Sequence, residues 1–177
     1  MTALEERMMT DREMFYEMLR MQKEYDLKVL SDHNLPGYEA ISDRIQCAML
    51  DEIGELNHEL KGNWCWWKHT QKDPDPAKVK EEFADVVHFA LCWINATPSK
   101  HTEAYINSRL ETGPGGYSYT NGMRDMVGSL LCSEPIRILR AGKEMLGLTW
   151  DEVYQLYCNK HKGHCKIRWD LGFLTVV

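Results

Sequence analysis

The sequence contains no run of about eighteen apolar residues, the length a membrane-crossing helix needs. It also lacks a basic stripe of the kind that displaces counterions from nucleic acid, and its net charge is −6, so broad nucleic-acid binding is excluded. A negatively charged substrate would have to be received through metal. There is no internal repeat and no low-complexity tract. The first residues, MTALEERMMTDRE, are charged and have no apolar signal core, so the expected setting is cytoplasmic. No cysteine pattern has the usual zinc spacing. Cys158, His161, His164 and Cys165 are too compressed for CxxC plus HxxxH, and we read the group as accidental. Several of the six cysteines, at positions 47, 65, 92, 132, 158 and 165, sit inside apolar helical patterns. A chain of 177 residues buries a core without crosslinks, so reduced thiols and a single domain over residues 1–177 are expected.

What is present centres on residues 45–94, where two apolar helical segments carry acid pairs. In IQCAMLDEIGELNHEL, Ile45, Met49, Ile53, Leu56 and Leu60 recur every three or four residues and draw one apolar face. Glu52, Glu55 and Glu59 run along the border of that face. In EEFADVVHFALCWI almost no polar side remains, so the second helix is expected to be largely buried, with Glu82, Asp85 and His88 on one face. Carboxylates carried into a core are costly unless paired, protonated or bound to metal. Packed antiparallel, the two helices converge Glu52, Glu55, Glu82 and Asp85, four hard oxygen donors of the kind magnesium takes. The bland alternative leaves Glu52 and Glu59 solvated and pairs Asp85 with a Lys or Arg.

The pattern Glu52-x-x-Glu55 followed by Glu82-x-x-Asp85 resembles the all-α nucleoside triphosphate pyrophosphohydrolases. Three further features resemble their dimeric dUTPase branch: Trp64-x-x-Trp67-Lys68 after the first acid pair, the run Asp85-Val86-Val87-His88-Phe89, and the upstream run Met21-Gln22-Lys23-Glu24-Tyr25-Asp26. The resemblance covers residues 14 to 95 best. It implies an all-α helical bundle with a central four-helix, metal-binding core, a homodimer, and dUTP as substrate, with dUDP as a second one, giving dUMP. The matching Gln of the family lies at the nucleoside pocket, which gives Gln22 a substrate role in which its amide offers both donor and acceptor to a pyrimidine edge; Asp26 and His88 join it. A C-terminal series of the family is similar to Tyr157, Lys160, His164, Arg168 and Gly172-Phe173, with His in place of Asn, Phe in place of Tyr and the Arg displaced by about one position. It marks Lys160 and Arg168 as phosphate ligands.

Along the chain, Thr10 and Glu13 form a capping box that opens a helix over 11–30. In the middle of its apolar face sit Gln22 and Asp26, polar groups that need partners. Pro36-Gly37 breaks that helix, and a second runs from Tyr38 or Ser42 to Leu60, with Gly62 as a left-handed cap. Trp64, Trp66 and Trp67 follow on a loop and are expected to wall a pocket beside the acids, with Lys68 neutralising a phosphate oxygen. Cys65 and Trp66 stand where related sequences commonly carry a second Lys. After Asp73-Pro74-Asp75-Pro76 the buried helix runs to Asn95. Residues 96–122 read as a long irregular connection, with Asn121-Gly122 a turn signal. Short helices are expected over 123–131, from Ser133 and Pro135 to Gly147, and from Thr149 onward.

The chemistry expected of the two acid pairs is hydrolysis between the α- and β-phosphates of a nucleoside triphosphate. Magnesium held by Glu52, Glu55, Glu82 and Asp85 neutralises charge and acidifies water, while Glu55, with Glu52 beside it, helps take the proton of the attacking water. Three alternatives use the same residues. A relative acting on dCTP or several nucleotides would differ only in the pocket. A ferritin-like di-iron bundle is suggested by Glu55-x-x-His58 and Asp85-x-x-His88, although His58 projects away from the apolar face. A non-enzymatic helical interaction protein would merely pair its acids with the cationic tail.

Overall fold

The computed structural model describes residues 8–110 and 118–170, with side chains to residue 162. Among the described residues there are seven α-helices and no strand: α1 (Asp11–Asp32), α2 (Ser42–Glu59), α3 (Pro76–Ala96), α4 (Glu103–Leu110), α5 (Tyr119–Leu131), α6 (Pro135–Met145) and α7 (Trp150–Asp170). The fold is all-α, as the sequence predicts. None of the described helices is long and apolar enough to cross a membrane.

Local chemistry sets the helix starts. Thr10 and Glu13 form the capping box of α1, each backbone N–H reaching the other's side chain. The Asp75 carboxylate accepts from the Ala77 N–H at 2.9 Å, and Pro76 occupies the first helical position of α3, where no N–H is needed. Thr149 and Glu152 repeat the capping box ahead of α7.

Burial then arranges the bundle. α3 is the central element, with Phe83, Val86, Val87, Ala90 and Leu91 fully out of solvent. It packs against α1, α2, α6 and α7, while α5 pairs with α6 and touches α2. Helices α1 and α2 give it their apolar stripes, Phe15 and Met18 from one and Met49 and Leu56 from the other.

Four local expectations need correcting. Gly62 is not a left-handed cap; it lies in a 3₁₀ turn over Lys61–Asn63, and among the described residues Gly147 is the glycine with positive φ, 66°. Gly62 is small for another reason, since a Cβ there would overlap the Lys72 carbonyl. Asn121-Gly122 is no turn but the first turn of α5, capped by Ser118, where Gly122 lets Met145 pass: a Cβ would lie 2.6 Å from the Met145 Cβ. The 96–122 connection contains α4, which the periodicity missed because Ile106 is its one buried residue; residues 111–117 lie outside the described residues. Ser133 does not cap α6. It sits in a left-handed link, φ 59°, and Glu134 takes the cap position.

The contact between α6 and α3 is close enough to require glycine. A Cβ on Gly142 would overlap the ring of Phe83, which is fully buried in the packed core. Gly142→Ala is therefore expected to destabilise the fold by about 1–3 kcal/mol, read as a lowered midpoint in urea unfolding. An unchanged midpoint would show that α6 can back away from α3.

Candidate metal centre and adjoining cavity

Helices α2 and α3 bring the acid pairs together. Oxygens of Glu52, Glu82 and Asp85 lie within 4.8 Å of one another, and Glu55 is near enough to Glu82 to raise its proton affinity. Glu52 faces Asp85 while Glu55 faces Glu82, the reversed order that two antiparallel helices give. The apolar partners of these residues, Ile53, Leu56, Phe83 and Val86, are all buried. The acids therefore stand at the edge of a packed seam that fixes their separation.

Concentrating negative charge here has an electrostatic signature. Burial first, then the charges of Asp85, Glu55, Asp51 and Glu82, push the Glu52 carboxyl up to about 7. Burial and the charges of Glu55 and Asp85 also raise Glu82, and Lys160 pulls it partly back. The ammonium of Lys160, carried by α7, lies 2.8 Å from Asp85 and 3.4 Å from Glu81. Asp85 thus belongs both to the acid cluster and to an ion pair, so the bland pairing and the metal-site reading meet in one residue. A set of hard carboxylate oxygens held close enough to raise one another's proton affinity suits a divalent cation such as magnesium.

Asp85 also lines a mostly apolar cavity of about 270 Å³ between α1 and α3, together with Gln22, Asp26, His88, Phe89 and Cys92. The buried polar pair of α1 finds its partners there. Gln22 Nε2 donates to Asp26 Oδ1 at 2.7 Å. Gln22 Oε1 accepts from the Tyr157 hydroxyl at 3.2 Å and lies 2.8 Å from His88 Nδ1. The Tyr38 hydroxyl donates to Asp26 Oδ2 at 3.0 Å. Tyr157 stacks on His88 with ring centroids 4.4 Å apart. On the outer side of α2 an open groove of about 850 Å³ is lined by Glu55, His58 and Glu82 among others, so the acids lie between a groove open to water and an apolar cavity.

The candidate residues therefore divide. Gln22, Asp26 and His88 share the cavity, and Glu52, Glu55, Glu82 and Asp85 share the acid cluster, with Lys160 against it. Trp67 and Lys68 are exposed and line neither cavity; Trp66 is 88 % exposed. Within this chain the indoles pack on one another, Trp67 against Trp64 and Trp66, and the Trp64 N–H donates to the Asn57 carbonyl. α7 continues past Arg168, but that side chain, with those of His164 and Cys165, lies outside the described residues, as do Gly172 and Phe173. The other five cysteines are free thiols. Sequence reasoning missed Tyr38 and Cys92 as members of the network, and it marked Tyr157 only through the C-terminal series, without linking it to Gln22. The signal available was indirect: Gln22 and Asp26 on a buried face demand partners, without saying which.

A family model described as dUTPase matches residues 14–169. Comparison with curated proteins and with solved structures gives no match.

The raised proton affinity of Glu52 fixes the sign of a pH effect. A carboxyl whose folded-state value stands above its ordinary 4.5 favours the folded state at low pH, and that advantage disappears as pH rises through about 7. The melting temperature of the metal-free protein is expected to fall over this interval, and added magnesium to raise it more at pH 8 than at pH 5. Thermal melts at both pH values, with and without magnesium, check this. An equal response at both would show that the carboxylates are not coupled.

Proposed function

The chain belongs to the all-α dUTPase family, and from that membership we propose that it hydrolyses dUTP to dUMP and pyrophosphate by attack of water on the α-phosphorus, with dUDP as a second substrate. The observation that carries the reading is the acid cluster of α2 and α3 opening, through Asp85, onto the cavity that Gln22 and His88 line. A pyrimidine in the cavity would then have its phosphates at the carboxylates. Magnesium bound by Glu52, Glu55, Glu82 and Asp85 supplies neutralisation of phosphate charge and acidification of water.

The chain's own groups do the rest. Glu55 stands where the acids meet the open groove, so it is placed to take the proton of an entering water. The ammonium of Lys160, held against Asp85 without nucleotide, is placed to pair with an arriving phosphate oxygen, and Arg168 on the same helix joins it. Buried Phe83, Val86 and Val87 keep the α3 carboxylates in register, so charge stabilisation needs no reorganisation. Trp67 and Lys68 complete the substrate contacts in this reading; in the described chain they stand on the surface.

The proposal extends to a single domain over residues 1–177, working as a homodimer in the cytoplasm. Exposed Leu50 on α2 and exposed Val127 and Leu131 on α5 support the dimer. Leu50 and Val127 flank a depression of about 390 Å³ shared with Ile53 and Met123, and apolar surface of this kind is commonly covered by a partner.

Pyrophosphate release measured side by side with dUTP, dCTP, dTTP and ATP is expected to be confined to dUTP and to require magnesium. Glu82→Ala and Asp85→Ala are each expected to lower turnover at least about a hundredfold. Release from several nucleotides would move the protein to the broader pyrophosphohydrolases, and full activity of either variant would remove the metal assignment. Bound iron with visible oxo-iron absorption would instead favour the di-iron bundle.

A further inference from the structure

Gln22 is 3 % exposed, and all but one of its hydrogen-bonding functions are spent inside the protein. One Nε2 hydrogen goes to Asp26 Oδ1 at 2.7 Å. Oε1 takes the Tyr157 hydroxyl at 3.2 Å and faces His88 Nδ1 at 2.8 Å, which fills its two lone pairs. What the amide has left is its second N–H, and Gln22 lines the apolar cavity.

This orientation cannot be reversed while residue 26 is a carboxylate. Both of its oxygens already accept, Oδ1 from Gln22 and Oδ2 from the Tyr38 hydroxyl at 3.0 Å. Turning the Gln22 amide over would set Oε1 against Oδ1, two acceptors at hydrogen-bond distance with no proton between them. The same constraint passes along the chain of bonds: with Oε1 facing it, His88 Nδ1 must carry its proton, and the Tyr157 hydroxyl must donate.

We infer that Asp26 is a specificity-determining positioning residue: by accepting from Gln22 it holds that amide with a donor towards the cavity, so the site takes a base edge bearing the 4-oxo group of uracil and refuses the 4-amino group of cytosine. The inference rests on the dUTP reading above and reassigns Asp26 from a substrate contact to the group that sets the sign of one. An asparagine at the same position has no fixed sign. An amide pair satisfies itself in either orientation, and the reversed one lets His88 Nδ1 accept and leaves a Gln22 oxygen lone pair for the cavity, which suits an amino group.

The test is kcat/KM for dUTP and dCTP with the full chain, its Asp26→Asn variant and its Tyr38→Phe variant, each checked by thermal melting. Asp26→Asn is expected to lower the dUTP-to-dCTP ratio at least about tenfold, with a gain on dCTP. Tyr38→Phe keeps the carboxylate and is expected to keep the preference for dUTP. An unchanged ratio, or an equal loss on both nucleotides, in folded Asp26→Asn would overturn the inference. If that variant does not fold, ¹⁵N NMR of the wild-type protein decides: a protonated His88 Nδ1 supports the fixed polarity, and a bare Nδ1 refutes it. A wild-type chain that turns over neither nucleotide defeats the functional reading itself, whereas dUTP turnover with an unmoved ratio defeats this inference alone.

Discussion

Mutual repulsion among the carboxylates of α2 and α3 is the constraint on which the rest of the structure depends. Oxygens of Glu52, Glu82 and Asp85 lie within 4.8 Å of one another, a spacing that water and flexible side chains would relax on an open surface. Here relaxation is blocked because each acid sits beside residues locked in the core, Ile53 and Leu56 on one helix and Phe83, Val86 and Val87 on the other. The apolar seam holds the charges close. In return the acids hold a proton more tightly than usual at Glu52 and draw in one ammonium, Lys160 from α7. A site with this much unsatisfied negative charge is prepared for a cation and, behind the cation, for phosphates.

The same helix α3 that carries the acids also walls the cavity through His88, Phe89 and Cys92. Recognition and chemistry are therefore placed on one rigid element, with His88 and Phe89 three and four residues after Asp85 along the helix. Gln22, Asp26 and His88 of the cavity are tied to each other and to two tyrosines outside its lining, Tyr38 to Asp26 to Gln22 to His88 and Tyr157. A buried network satisfied in this way has a defined direction of hydrogen bonding, and that direction limits which base edges it can meet.

Much of this was legible in the sequence because it was written in strong periodicity. The near absence of polar residues from Phe83 to Ile94 marked α3 as the buried centre, and the acid pairs stood out against it. Thr10 with Glu13 and Asp75 with Pro76 carried enough local chemistry to fix their helix starts. What was not legible was long-range or weakly patterned. α4 buries only Ile106, too little for a stripe. Asn121-Gly122 carries a turn signal, but the Ser118 cap and the passage of Met145 hold it in a helix. Tyr38, Cys92 and Tyr157 join the network from three different segments, and no spacing rule links them to Gln22. The placing of Trp67 and Lys68 depended on the path of a loop, which residue types do not specify.

The most direct test of the central claim, that these carboxylates form a divalent cation site, is a manganese titration followed by electron paramagnetic resonance, using manganese in place of magnesium. The account expects saturable binding to the wild-type protein and its loss in Asp85→Asn, with the variant still folded by circular dichroism. Equal binding by both proteins, or no saturable binding by the wild type, would contradict it.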